Sequence, residues 1–527
     1  MRLSIVCRLA AISCLVHGLA HPVPAILSAA PHRPCGNAVF FSEALELEGA
    51  TGTHDLFASV QPTVELREEI VGTRSHHPLA SLVSPRGIAF AHELHGYLEA
   101  IDFDGINYLL RGPQGIRDYE MDPYPMARVT DVREAFEVLL ERHYLPSRMY
   151  EGMRAGLAMD FFVFNLPLTD QETAILFGPN SGLPTQGIQT GLFLKLSDGR
   201  LRMNGLSLYS RRIPQGNLVH TIYGFADTPE HYTTALAPTE VYVNRDSYDL
   251  LKRIVKVPSA NGVGAEIGSG SGIQLNAMAK LFPGLDLILG AEIDERARPV
   301  SAFNVALNGE EKRIEIVADA EALKARLNGR KIGLAVLNPP FIGMPKELPV
   351  PPDQAHLLLP HISLPEGSDR LPIDRMYAKS GWGGTDGLFF TRQFVHSLLP
   401  DMELEAPLLV YSQFAVGFSG TIKLIEELAS LPWVRVNFEP EQDYEDHFLD
   451  NGSLWLRNIQ ASFTIEEVAE LDAEMIIGRL WEHVRDPVWW HQLNALSRPW
   501  AKYIFDQFRQ EQITHFHAGI VTISRTA

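Results

Sequence analysis

Cysteine is nearly absent: the 527 residues hold three, Cys7, Cys14 and Cys35, and none follows. The chain beyond residue 35 therefore has no thiol for a disulfide, a thiolate zinc site or a cysteine nucleophile. His515 and His517 alternate on a predicted strand but have no visible third ligand, so no metal site is expected. Beyond the N-terminus there is no unbroken apolar run of the ~20 residues that a membrane helix needs. Positive charge is also short, with 45 Lys and Arg against 64 Asp and Glu and a formal net charge of −19. That balance argues against a protein that holds a phosphate backbone over a wide surface, while leaving room for a local basic groove.

What is present is a globular composition, 46% hydrophobic and 21% charged. Cores stop growing near ~250–300 residues, so this length predicts more than one domain. Residues 1–42 open with "MRLSIVCRLAAISCLVHGLA", basic and then apolar, and contain no acid. They are expected to be a targeting or disordered segment, with a cytoplasmic protein the first reading and a mitochondrial or secreted one the alternative. Residues 43–240 read as an α+β domain that could recognise substrate. The stretch 44–110 is polar and proline-rich with no assigned period, "TDVREAFEVLLERHYL" reads as an amphipathic helix, and "GLFLKLSDGRLRMNGLSLYSRRI" reads as strands joined by a hairpin turn. "LVHTIYGFA" adds a further strand, so about 150–240 predicts a small sheet.

The rhythm changes near 240. The helix "NRDSYDLLKRIVKV" leads to short apolar strands, "GVGAEIG", "DLILGAEID", "IEIVAD", "IGLAVLNPP" and "APLLVYSQFAV", separated by helical stretches. This pattern predicts βαβ units around a buried parallel sheet over 241–527, with an insertion at about 439–500 and a final strand returning to the sheet.

Two motifs carry chemistry. Gly268, Ser269, Gly270 and Gly272 follow a strand and open a helix, where ligand atoms can approach backbone N–H groups. Glu266 precedes the turn, and Glu292 ends the next strand, placed to accept from ribose hydroxyls. A dinucleotide fold has the same spacing, so the turn alone leaves the cofactor open. The tetrapeptide Asn338-Pro339-Pro340-Phe341 is more selective. Its prolines remove two donors, its carbonyls and the Asn338 amide oxygen are acceptors, and Phe341 offers a flat wall. A planar NH₂ group fits such a set.

On "EIGSGSG", "AEIDERA", "VADA" and "NPPF", residues ~240–420 resemble a class I S-adenosylmethionine (SAM)-dependent methyltransferase, and within it the HemK-like branch of glutamine N5-methyltransferases. "GGTDGLFFTRQFVHSLLP" resembles the glycine-rich segment and helix that follow the tetrapeptide there. The resemblance implies a Rossmann-like α/β domain with a mostly parallel sheet and an antiparallel last strand, preceded by the α+β domain. It implies SAM as cofactor, with Glu266, Gly268, Gly270 and Gly272 at the methionine end, Glu292 at the ribose and Asp319 at the adenine amine, with Ser269, Ile293, Ala320 and Asn338 also among the cofactor-binding residues, and with Asn338 and Pro339 orienting the methyl acceptor. The branch usually has tyrosine where Phe341 stands; the phenylalanine ending also occurs in adenine-N6 RNA methyltransferases.

The resulting expectation is N-methylation of a planar amide or amine on a protein or small molecule, with nucleic acid disfavoured by charge. The alternatives are an adenine-N6 RNA methyltransferase, an enzyme that cyclises SAM, and a SAM-binding scaffold without catalysis. Asn338→Asp, which keeps an acceptor oxygen, is expected to retain more activity than Asn338→Ala.

Overall fold

The structure, a computed structural model, describes residues 79–111, 149–227, 241–243, 245–350, 370–373, 381–440, 462–484 and 495–527. Contacts separate Met1–Thr63 from Val64–Ala527, and every element below belongs to the second unit. The helix predicted at 130–145 and the segment 1–42 lie outside the described residues.

A 3-10 turn, Leu79–Val83, leads into α1 (Pro85–Ala100) and α2 (Phe103–Arg111); α3 (Met149–Phe162), α4 (Asp170–Phe177) and α5 (Leu183–Thr190) follow. Helix α1 corrects the reading of 44–110 as lacking a period. Ser84 caps it by accepting from the Gly87 N–H at 3.1 Å, Pro85 occupies the first turn, and Phe90, Leu94 and Leu98 recur every fourth residue and are all buried. Strands β1 (Phe193–Lys195) and β2 (Leu201–Met203) form the hairpin expected around "SDGR", and β3 (Leu206–Gln215) pairs along its length with β4 (Leu218–Asp227). The small sheet expected from about 150 thus begins only at Phe193, after three helices, of which α4 starts with a Thr169–Glu172 capping box.

The remainder runs α6 (Arg245–Val255), β5 (Gly262–Ile267), α7 (Ile273–Leu281), β6 (Leu285–Ala291), α8 (Ala297–Leu307), β7 (Ile314–Val317), α9 (Ala320–Leu327), β8 (Ile332–Leu337), β9 (Glu347–Pro349), β10 (Arg370–Pro372), α10 (Phe389–Leu398), β11 (Leu408–Gly417), α11 (Lys423–Ala429), β12 (Val434–Pro440), β13 (Ser462–Thr464), α12 (Ile465–Val484), α13 (Ser497–Gln510) and β14 (Ile513–Arg525). The central sheet has the order β12-β14-β11-β8-β5-β6-β7, with β13 also on β14. Pairings among β11, β8, β5, β6 and β7 are parallel, and β14 is antiparallel to both neighbours, as the resemblance implies. Helices cover both faces, so β8 is buried at every residue and reads as the unbroken apolar run "IGLAVL".

Two hydrophobic clusters flank the sheet. One joins the N-terminal elements to α7 and α8, with Phe90, Phe161, Phe193, Phe225 and Phe303 among its members; the other packs α10, α12 and α13 against the opposite face around Trp500, Phe508 and Phe516. Each such aromatic contributes roughly 1.5–3 kcal/mol by burial. The hairpin β3–β4 is also tied to α8 by amides. Asn304 accepts from the Phe225 N–H at 2.8 Å and donates to the Phe225 carbonyl at 2.8 Å, and Asn308, one turn on, does the same to Tyr223 at 3.1 and 2.7 Å.

Candidate active site

The chain leaves β5 for β6 on one side and returns to β8 on the other, so a crevice opens at the carboxyl ends of these strands. The glycine turn occupies it. Gly268, Gly270 and Gly272 have φ of 75°, 51° and 74°, a conformation that side chains disfavour. Gly268 and Ser269 donate their N–H groups to the Ala291 carbonyl at 2.8 and 3.1 Å, which pins the turn to the end of β6. Gly272 caps α7, and the Ser269 hydroxyl lies 3.5 Å from that of Ser301.

Two carboxylates stand over this turn. Glu292 accepts from the Gly270 N–H at 2.7 Å with one oxygen and from the Asp294 N–H at 2.8 Å with the other, so it braces the loop. Glu266, the penultimate residue of β5, is 1% exposed, and its Oε2 has no hydrogen-bond partner among the described residues. Burial, followed by the Glu292 charge, pushes the Glu266 carboxyl well above its ordinary range. Burial also raises Glu292, against the two N–H groups that favour its charge.

Beside them, Ile293 is 73% exposed, an apolar side chain presented to solvent at the strand end. The Glu292 N–H donates to Val317 at 3.0 Å, which aligns this end of β6 with that of β7 and brings Asp319 and Ala320 to the same edge. Asp319 caps α9 by accepting from the Ala322 N–H at 2.7 Å, and Ala320 opens the helix.

Asn338 follows β8 where Leu337 pairs with Ile267, beside the first glycine of the turn. Its Nδ2 donates to Asp246 at 2.6 Å, with the Ser247 hydroxyl at 3.4 Å, whereas its Oδ1 is buried without a partner. Tyr242 donates its hydroxyl to the other Asp246 oxygen at 3.0 Å. Pro339 is buried, Pro340 partly so, and Phe341 packs edge-on against Tyr411 with centroids 5.4 Å apart. The glycine-rich segment locks this tetrapeptide. A Cβ on Gly383 would lie 2.7 Å from the Pro340 carbonyl oxygen, and Gly383 donates to the Ile342 carbonyl at 2.9 Å.

Every site residue expected from the sequence therefore lies on the turn, on the strand ends beside it or on the tetrapeptide. Asp246, Tyr242 and Ser247 were not anticipated; the only signal for Asp246 and Ser247 was a run of polar residues at the start of α6 in "NRDSYDLL", and Tyr242, before the helix, had none. Of the expected pair His515 and His517, the ring nitrogens are 3.1 Å apart, and among the described residues no group of three or more ligating side chains is present. No described helix is long and apolar enough to cross a membrane.

No family model matches the chain, and no curated protein does. Among solved structures it is similar to the precorrin 8w decarboxylase of Methanobacterium thermoautotrophicum at 14% identity, covering 42% of this chain and 95% of that one with a TM-score of 0.24. It is also similar to the O-methyltransferase TomG of Streptomyces achromogenes in complex with SAM, at 10% identity, 55% and 82% coverage and a TM-score of 0.26. A third is a SAM-dependent methyltransferase of Thiobacillus denitrificans in complex with S-adenosyl-L-homocysteine, at 10% identity, 53% and 91% coverage and a TM-score of 0.25. The strand order itself, a mostly parallel sheet with its last strand inserted antiparallel and helices around it, is a Rossmann-like α/β fold.

Proposed function

We propose that the protein is a SAM-dependent N-methyltransferase that acts on a planar NH₂ group of a protein or small molecule, in the manner of the HemK-like branch. The observation that carries this reading is the Asn338 side chain, whose donor end is committed to Asp246 and whose acceptor end is buried and unpartnered. A buried acceptor without a donor costs about 1–3 kcal/mol, which a substrate N–H recovers on binding.

The residues present fit SAM. Glu266 offers a buried, unsatisfied carboxylate oxygen to a cationic ligand, the glycine turn offers a helix start, Glu292 braces that turn, and Ile293 and Asp319 stand where an apolar surface and an acceptor suit a base. Bound there, SAM supplies a methyl group activated by a positive sulfonium. The chain's own contribution is position: Asn338 Oδ1 and the Pro339 carbonyl accept from the NH₂ group, and Phe341, braced by Tyr411, walls its face. The acidic balance of the chain favours protein and small-molecule acceptors over RNA.

The test is incubation of the purified protein with methyl-labelled SAM and, separately, with protein, small-molecule and RNA fractions, followed by mass spectrometry of the labelled product. An N-methyl amide or amine supports the reading. Label confined to RNA adenine would move the acceptor, a product formed from SAM alone would indicate cyclisation, and tight NAD binding without SAM binding would overturn it.

A further inference from the structure

We propose that Asp246 is a positioning residue for Asn338: its buried carboxylate takes the Asn338 Nδ2–H and the Tyr242 hydroxyl together, and so fixes which end of the amide meets the methyl acceptor. The inference rests on the reading above for its kinetic consequence but not for its geometry. The two ends of an asparagine amide are almost the same size and opposite in function. If Nδ2 faced the crevice, it would confront the NH₂ group with another donor. An ionised carboxylate only accepts, so it can hold Nδ2 and never Oδ1. Both Asp246 oxygens are used, one by Tyr242 and one by Asn338.

The charge of Asp246 is favoured by this pair together with the backbone N–H groups of Ser247 and of Asp246 itself. On α6, Asp249 is paired with Lys252 at 2.7 Å. From β3, Arg211 lies over the Tyr248 ring at 3.5 Å; from α7, Gln274 donates to the Ser247 carbonyl at 3.3 Å; from β11, Tyr411 meets Phe341. No cation pairs with Asp246 among the described residues, and the residue is 4% exposed. Burial pushes its carboxyl up to about 6, against the hydrogen bonds from Asn338 and Tyr242. Below that pH it gains a proton and becomes a donor that can meet Oδ1, so the amide loses its fixed sense. Because the folded value is raised, the protonated form is the more stable in the fold, and stability falls as pH rises through about 6.

The experiment uses the full chain labelled with ¹⁵N-asparagine, the Asn338 side-chain NH₂ signals being assigned by their loss in Asn338→Ala. They are expected to titrate with a midpoint near 6 in the wild type and to stay flat in Asp246→Asn. Signals that ignore pH in the wild type would overturn the proposal. A second arm measures S-adenosylhomocysteine formed with N-acetylglutamine or adenosine as probe acceptor. Asp246→Ala should lower kcat at least about tenfold, the loss of one charge-assisted hydrogen bond, with SAM affinity unchanged. Asp246→Asn should keep intermediate activity, lose the acid limb and melt at a higher temperature at about pH 8. Unchanged kcat in Asp246→Ala, or a lower melting temperature with a wild-type pH profile in Asp246→Asn, would overturn it. If the wild type turns over neither probe, the methylation reading loses its support, while the titration still decides the role of Asp246.

Discussion

Glu266 and Glu292 are two carboxyls held above their ordinary range by burial, and Glu266 Oε2 has no hydrogen-bond partner among the described residues. A cationic ligand favours their ionised forms, so SAM affinity should strengthen as pH rises through the titration of these carboxyls, and Glu266→Gln should flatten that slope. Calorimetric titration at several pH values decides it; a pH-independent wild type would separate Glu266 from the cofactor. At Asn338, replacement by Ala should lower kcat by roughly 10²–10³, by analogy with the loss of a preorganised group, with little change in SAM affinity. The structure revises the companion expectation. Asn338→Asp would set a second carboxylate 2.6 Å from Asp246 and remove the donor that holds it, so at neutral pH it should do no better than Ala in single-turnover rates. Asn338 and Glu292 were legible because their motifs are local. Asp246 was not, because its partner is 92 positions away and an acid in the first turn of a helix looks like an ordinary cap.

At the scale of elements, the tetrapeptide is rigid from both directions, by its own prolines and by the segment "GGTDG" folded against it. Gly383→Ala would press a methyl into the Pro340 carbonyl and the Phe341 Cα, at 2.7 and 2.8 Å. Overpacking of this kind costs about 1–3 kcal/mol, and the displaced tetrapeptide should lose turnover while the glycine turn still binds SAM. A thermal melt and a SAM titration on the same sample check both halves. The parallel strands were readable because burial on both faces makes them continuous apolar runs, as β8 does. Helix α1 escaped notice among the prolines of its neighbourhood, although Ser84 and Pro85 mark its start. The hairpin turns were visible in "SDGR", but no local signal could announce that β3 lies over the glycine turn, where the Tyr209 hydroxyl comes 3.3 Å from that of Ser271.

For the molecule as a whole, the change of rhythm near 240 is plain in the sequence, yet one hydrophobic cluster crosses it. Phe303 lies against both Phe90 and Phe225, the ring centroids 6.1 and 6.0 Å apart. The segment 241–527 expressed alone should therefore be soluble only in aggregated or expanded form, since α7 and α8 would expose that cluster; size-exclusion chromatography and near-UV dichroism test this. A chain beginning at Glu43 should bind SAM as the whole one does, because the site is built from residues beyond 208, and failure to bind would give the first 42 residues a structural role. The amide clasp from Asn304 and Asn308 has a further consequence. It grips Tyr223 and Phe225 by their main-chain groups alone, so the grip takes no account of which side chains the hairpin carries. The exposed positions near its tip, Leu218 and Val219, are then free to diversify without unfastening the hairpin, which makes this ribbon the place where selection or a mutant library can retune the protein at least cost to its folding.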